Sequence, residues 1–289
     1  VNKKTIHIII GATASGKSSY ALDYADKYSA EIINADSMQI YKEFPILSAQ
    51  PTKEDQSKVP HHLYGFIDVQ HEFNVNKWLE IASEKIKDCW DRQVIPVLVG
   101  GTGFYIQAIL EGLSPIPNIP NAERKNIKER LENEGIQNLY AELKRKDPSL
   151  YEILKPNDIQ RICRALEVFE ATGKPLSYWQ SIPKKKLIEA DFKIIEIRKD
   201  RKELYKNINE RVLNMIQNGA IDEVKNVYRM YPETVYPGQK ILGYKEICNY
   251  LQGGWTLDQS IEKLQQHTRN YAKRQMTWFR HQVTPDIVV

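Results

Sequence analysis

Residues 6–10, Ile-His-Ile-Ile-Ile, run directly into Gly11-Ala12-Thr13-Ala14-Ser15-Gly16-Lys17-Ser18, and no other stretch restricts the possible folds of this chain so strongly. The first segment is short, apolar and β-branched, as expected of a parallel strand buried on both faces. The second fits G-x-x-x-x-G-K-[ST], a turn whose backbone N–H groups converge on phosphate oxygens. A helix over 16–29 follows it, and the amino end of that helix adds about half a positive charge to the cradle. Lys17 supplies a point cation and Ser18 a hydroxyl suited to Mg²⁺. Gly11, Thr13, Ala14, Ser15, Gly16, Lys17 and Ser18 are therefore the candidate phosphate-binding residues.

Residues 31–34 and 94–99 read as two further strands, the second preceded by an amphipathic helix over 75–92. Strands alternating with helices imply a parallel α/β sheet covered on both faces. Asn34-Ala35-Asp36-Ser37 and Gly100-Gly101-Thr102-Gly103 then fall at the carboxyl edge of that sheet, where open α/β folds collect ligands. Asp36 reads as a Mg²⁺ ligand, as a base, or as a simple turn former; Thr102 reads as a ligand contact or as a helix N-cap. The chain carries no Asn-Lys-x-Asp guanine reader and no apolar strand ending in the Asp of a Walker B site. The identity of the phosphate compound stays open on these grounds.

Composition bounds the rest. The 289 residues, 42% of them hydrophobic, suffice for one α/β domain with a satellite. Pro115, Pro117 and Pro120 lie within six residues, which excludes a core helix or central strand and reads as a hinge. From 122 to about 172 the pattern is polar and helical, and a strand-like return at 192–197 follows Lys184-Lys185-Lys186. The expected organisation is a discontinuous core of 1–113 and 191–289 with a helical insertion over 114–190, helices filling the remainder. The three cysteines, odd in number and widely spaced, argue against a disulfide framework or a four-thiolate zinc site. No apolar run approaches the roughly 18 residues of a membrane span, and the first residues are too few for a secretory leader. A soluble, cytoplasmic protein without a membrane partner is expected, monomeric by default.

Lys plus Arg exceed Asp plus Glu by only 41 to 37, which by itself licenses no nucleic-acid partner. The distribution says more, because 267–282 holds Arg269, Lys273, Arg274 and Arg280 and no acid. There Ala272, Met276 and Phe279 are spaced for core packing, and Tyr271 and Trp278 read as core aromatics, with stacking on RNA as the alternative. Over 158–172, an apolar stripe of Ile159, Ile162, Cys163, Leu166 and Phe169 leaves Gln160, Arg161, Arg164 and Glu167 on the other side. Those arginines would meet RNA phosphate, or pair with Asp158 and Glu167 on a solvated face. His61-His62 reads as a hydrogen-bonded pair before it reads as a metal site.

Seven segments together resemble one family, the tRNA dimethylallyltransferases or isopentenyltransferases: GATASGKS at 11–18, NADSMQIY at 34–41, PHHLYGFID at 60–68, VGGTGFY at 99–105, QRICRALEVFEATGK at 160–174, LGYKE at 242–246 and RNYAKRQMTWFR at 269–280. The resemblance implies a P-loop NTPase-like core with an inserted all-helical tRNA-binding subdomain. It implies transfer of a dimethylallyl group from its diphosphate to the exocyclic amine of the adenosine 3′ of the tRNA anticodon, with Mg²⁺. The loop from Gly11 to Ser18 would then grip a diphosphate leaving group, with Ser18 on the metal. Asp36 would accept the amine proton, Thr102 would hold the target nucleotide, and Arg211 and Lys17 would reach the diphosphate. Asp36, Ser37, Met38, Gln39, Gln160, Arg161, Arg164, Lys240, Lys245, Lys273 and Arg274 would touch the anticodon stem-loop. The chain departs from the family pattern at Ile46-Leu47-Ser48-Ala49-Gln50-Pro51, where Ile-Gly-Thr-Ala-Lys-Pro is usual, and at Leu213, where an acidic residue is usual. With no Cys/His cluster before Val289, it looks like the compact bacterial type. An adenylate isopentenyltransferase, an ATP-dependent small-molecule kinase and a non-catalytic RNA-binding NTPase scaffold are the competing readings.

Overall fold

The structure is a computed structural model and describes residues 4–232 and 235–289; residues 1–3, part of the start read as too short for a leader, lie outside the described residues. The chain divides into two compact units, Val1–Leu110 with Leu187–Val289, and Glu111–Lys186.

In the larger unit, β1 (Thr5–Ile10) is followed by α1 (Lys17–Tyr28), β2 (Ala30–Asn34), α2 (Lys53–Lys58), β3 (His61–His62), α3 (Val75–Asp91), β4 (Ile95–Gly100) and α4 (Gly103–Glu111). The smaller unit contributes α5 (Asn121–Lys146), α6 (Pro148–Tyr151), α7 (Ile159–Thr172) and α8 (Leu176–Ser181). The chain then returns through β5 (Asp191–Glu196), α9 (Arg201–Gln217), α10 (Ala220–Met230), α11 (Tyr244–Leu251), α12 (Leu257–Gln282) and β6 (Ile287–Val288).

Among the described residues, six strands form one sheet in the order β3-β2-β4-β1-β5-β6, and each of its pairings is parallel. Burial explains the sequence pattern of its centre: Ile6, Ile8, Ile9 and Ile10 of β1 are all fully buried, because both faces are covered by helices. The register sets Ile10 beside Gly100 and Asn34 beside Val99, so β1, β2 and β4 end level with one another. A parallel α/β sheet flanked by helices, with a helical subdomain, was the expected fold and is the observed one.

One local expectation holds and two change. His61-His62 is a hydrogen-bonded pair, as expected, in an edge strand paired with Ile32 and Ile33. The His62 Nε2 lies 2.8 Å from the Glu31 carboxylate and the His61 Nδ1 2.7 Å from the Val59 carbonyl. The carboxyl-terminal stretch, expected to be filled by helices, closes the opposite edge as β6. Both strands are two residues long, too short to show a period in sequence. On α7 the buried stripe is Ile162, Ala165, Leu166 and Val168, whereas Ile159 is 44% exposed. Ile159 is the first residue of that helix, beyond the packed turn.

The smaller unit has its own core, in which Ile127, Leu139 and Leu143 of α5 meet Ile162, Leu166 and Val168 of α7. Near its midpoint α5 breaks at Gly135, where φ is 78°.

Gly100 marks the tightest approach between the ends of β2 and β4: a Cβ there would lie 2.1 Å from the Ala35 carbonyl oxygen. Gly100→Ala is expected to lower the unfolding free energy by about 1–3 kcal/mol, the usual cost of overpacking. Urea unfolding followed by circular dichroism checks this, and an unchanged midpoint would contradict it.

Candidate active site

Three loops leave the sheet side by side: 11–16 after β1, 35–40 after β2 and 101–102 after β4. The first is the glycine-lysine loop. Its turn requires Ala14 at φ 62° and Gly16 at φ 91°, and Gly16 then opens α1. Lys17, in the first position of α1, is only 7% exposed, and its Nζ lies 3.5 Å from the Ala12 carbonyl.

Asn34 shapes the second loop. Its side-chain carbonyl accepts the Asp36 N–H at 2.8 Å, and its amide donates to the Asp36 and Leu63 carbonyls at 3.0 and 2.9 Å. Trp78 of α3, fully buried and stacked on Tyr105, donates its indole N–H to the Asn34 carbonyl at 2.8 Å. The Asp36 carboxylate accepts from the Met38 N–H at 2.9 Å and stands at the rim of the sheet. The Thr102 hydroxyl joins the third loop to the second, accepting from the Ser37 N–H at 2.9 Å and bonding the Ser37 hydroxyl at 3.2 Å.

Helices from the distant half of the chain complete the site. From α9, Arg211 donates to the Thr13 hydroxyl at 3.2 Å and Asn207 to the Ala14 carbonyl at 3.4 Å. From α12, the Gln275 amide spans two loops, accepting the Thr13 N–H at 2.8 Å and donating to the Gly101 carbonyl at 2.9 Å. Tyr271, one turn earlier, brings its hydroxyl against Thr102 and Gln275; burial, and secondarily Asp36, holds that phenol protonated well above its ordinary range.

These residues enclose a narrow cavity of about 60 Å³ whose lining mixes polar side chains, among them Thr13, Lys17, Ser18, Asp36, Gln39, Arg211 and Tyr271, with apolar ones, among them Met38, Leu47, Val212, Met215 and Leu264. A wider, open cavity of about 500 Å³ adjoins it, sharing Lys17, Ser18, Arg211 and Met215 and adding Ala14, Gly16 and Asn207. Burial lowers the Lys17 pKa to about 8, with Asp36 opposing the shift and Arg211 adding to it. The Arg211 pKa is also lowered, by burial against the pull of Asp36.

The structure thus brings Thr13, Lys17, Ser18, Asp36, Met38, Gln39 and Arg211 into one cavity. Ser15 points elsewhere: its buried hydroxyl has no partner and lines a small hollow behind the loop. Gln39 acts as a strut, donating to the Ser48 and Ala49 carbonyls at 3.1 and 2.6 Å. Gln50, where the resembled family has lysine, is turned inward to the Tyr41 carbonyl at 2.8 Å. Lys240, Lys245, Lys273 and Arg274 are exposed on the larger unit, outside both cavities. On α7 of the smaller unit Gln160 is exposed, Arg161 lies 3.5 Å from Asp158, and Arg164 lies 3.2 Å from Glu167.

Several site residues escape sequence reasoning. Gln275 and Tyr271 sit in a helix whose aromatics and basic residues drew attention, with nothing to mark which face meets the loops. Glu223 is another: its carboxylate accepts the Ile46 and Leu47 N–H groups at 2.7 and 2.9 Å and holds the Leu47 loop over the cavity.

A parallel sheet whose central strand feeds a glycine-lysine loop, with a carboxylate and a distant arginine converging on the same hollow, defines a P-loop α/β protein built to hold a phosphorylated ligand. The IPP transferase family profile matches residues 39–282, and a second profile, isopentenyl transferase, matches residues 4–64. The chain belongs to the IPP transferase family. It is 40% identical over 288 residues to a tRNA dimethylallyltransferase of Rickettsia conorii, covering 99% of this chain and 79% of that one. A tRNA dimethylallyltransferase of Pelagibacter ubique is 40% identical over 284 residues, 98% of this chain and 91% of the relative. Among solved structures, the tRNA isopentenylpyrophosphate transferase of Bacillus halodurans superposes with a TM-score of 0.69 at 32% identity, covering 99% and 89% of the two chains. A eukaryotic dimethylallyltransferase acting on tRNA superposes with a TM-score of 0.81 at 29% identity, covering 96% of this chain and 70% of that one.

The Lys17 ammonium binds phosphate only while protonated, and in the free protein it loses its proton around pH 8. Affinity for inorganic diphosphate is therefore expected to hold steady below pH 8 and to fall by up to about tenfold per pH unit above it. Calorimetric titration of the wild type and Lys17→Met checks this: the variant should bind more weakly and lack the component of the fall beyond the titration of diphosphate itself.

Proposed function

We infer that this chain is a prenyltransferase that moves a dimethylallyl group from dimethylallyl diphosphate to the exocyclic amine of the tRNA adenosine 3′-adjacent to the anticodon. The observation that carries this reading is the mixed lining of one cavity, which holds Lys17, Arg211 and Asp36 together with the apolar Leu47, Val212, Met215 and Leu264. A phosphate-loop cation beside hydrocarbon suits a prenyl diphosphate, which needs an anion seat at one end and an apolar seat at the other.

The amine nitrogen attacks the allylic C1, the C1–O bond breaks, and its electron pair leaves on the diphosphate. Lys17, Arg211 and the Ala14 and Gly16 amides of the loop oppose the charge that grows there, the Thr13 N–H being held by Gln275 and the Ser15 N–H by the Ala12 carbonyl. Loss of one such donor is worth on the order of 10² to 10³ in turnover. The Asp36 carboxylate takes the proton of the amine as it becomes cationic. Ser18, whose exposed hydroxyl opens on the wider cavity, offers a hard oxygen to Mg²⁺, and Asp36 is a second oxygen ligand group in the adjoining hollow. That donor set suits an ion that keeps several waters and binds chiefly to substrate phosphate. When bound, Mg²⁺ supplies charge neutralisation on the diphosphate.

The adenine must leave the anticodon stack to reach this cavity, at a cost of a few kcal/mol. Thr102, Ser37 and Met38 would receive the turned-out nucleotide, with Gln39 bracing their loop. Lys240, Lys245, Lys273 and Arg274 on the larger unit, and Gln160, Arg161 and Arg164 on the smaller, would contact the tRNA. A tRNA substrate implies work in the cytoplasm.

Incubating the protein with Mg²⁺, dimethylallyl diphosphate and either unmodified tRNA or AMP, then weighing the adenosine after digestion, tests the reading. Prenylation of tRNA alone is expected. Prenylation of AMP alone would make the chain a free-nucleotide enzyme, and ATP turnover without prenyl transfer would make it a kinase. Asp36→Ala should lower turnover by roughly 10² to 10⁴ while leaving diphosphate affinity within a few-fold; equal loss of both would remove Asp36 from the role of base. Arg161→Ala with Arg164→Ala should weaken tRNA binding and flatten its log–log salt slope by roughly 1 to 2. An unchanged slope would take α7 out of the interface.

A further inference from the structure

Gln275 is 6% exposed, lies in the last third of α12, and spends both ends of its amide on backbone groups of two different site loops. Its Oε1 takes the Thr13 N–H, so this amide of the glycine-lysine loop points at α12 and is not free for phosphate. Its Nε2 reaches the carbonyl of Gly101, the residue before Thr102. The fit leaves no slack, because a Cβ on Gly101 would fall 2.2 Å from that nitrogen and 3.5 Å from the Asp36 carboxylate.

We propose that Gln275 is a positioning residue, a two-ended clamp that fixes the spacing between the loop holding the leaving group and the turn facing the attacking amine. It touches neither reactant. It acts through Thr13, whose hydroxyl also receives Arg211, and through Gly101 and Thr102, whose hydroxyl in turn holds Ser37 beside Asp36. In-line displacement depends steeply on the separation and alignment of nucleophile and leaving group, so a slackened clamp reduces the reactive fraction of bound pairs without weakening either binding event. The proposal rests on the prenyl-transfer reading, and it requires a residue with one donor and one acceptor at this place. A glutamine meets that demand, and so does a protonated glutamic acid; a glutamate ion or a methionine does not.

Two variants test it, Gln275→Met and Gln275→Glu, each assayed with dimethylallyl diphosphate and unmodified tRNA across pH 5.5–8.5. Hydrogen exchange of the 11–18 segment is followed in parallel without substrates. Gln275→Met is expected to lose about 10- to 100-fold in kcat per folded molecule, with both KM values within about threefold of wild type. Its Thr13 amide should exchange faster while the melting temperature stays within a few degrees. For Gln275→Glu the kcat ratio to wild type should rise as pH falls, as its carboxyl regains the donor, whereas the ratio for Gln275→Met stays flat. A Gln275→Met enzyme with wild-type kcat, or with kcat loss matched by loss of folded protein, would overturn the clamp. So would raised KM values at unchanged kcat, or a flat ratio for Gln275→Glu. A wild-type protein that transfers no prenyl group would instead defeat the functional reading, and the exchange measurement would still report on the clamp.

Discussion

A buried ammonium is expensive, and the candidate site is arranged around the one on Lys17. Desolvation lowers its pKa to about 8, so the free protein holds a cation only weakly inclined to stay charged. Asp36 supports that charge, while Arg211 in the same cavity opposes it. Two cations beside one carboxylate leave a net positive charge, which an anionic ligand compensates. The cavity thus suits a phosphate ligand by its charge as well as by its loop.

The scaffold makes that arrangement possible by ending three strands at one level. Because Ile10 pairs with Gly100 and Asn34 with Val99, the loops that follow β1, β2 and β4 emerge in one line. Two glycines and one tryptophan keep them there: Gly100 admits the Ala35 carbonyl, Gly101 admits the Gln275 amide, and Trp78 holds the end of β2 from beneath. The second half of the chain then covers the edge. From it, α9 delivers Arg211, α10 delivers the carboxylate of Glu223 that holds the Leu47 loop, and α12 delivers Tyr271 and Gln275.

On the proposed reading, the apolar part of the lining would give this charged hollow its chemical selectivity. Leu47, Val212, Met215 and Leu264 offer no donor or acceptor, so a hydroxylated or charged group placed against them would lose its hydration without return. A nucleotide sugar fits such a lining poorly, and a branched five-carbon chain fits it well. On the same reading, enclosure would keep water from an allylic centre whose leaving group is stabilised.

By itself the sequence determined the strand-loop-helix unit from Thr5 to Tyr28, the parallel class of the sheet, and the positions of Asp36 and Thr102 at strand ends. Each of these rests on contacts between residues a few places apart, which leave a period or a motif in the chain. The arginines of α7 were legible as a basic face, but their pairing with Asp158 and Glu167 depends on rotamers that spacing does not specify. Only the tertiary structure decided which side chains of α9, α10 and α12 meet the loops. Gln275 reaches Thr13 across 262 residues of sequence, and Glu223 reaches Ile46 across 177. A buried polar side chain that satisfies a distant backbone group looks, in the sequence, like any other polar residue on a helix; its partner exists only once the helix has packed.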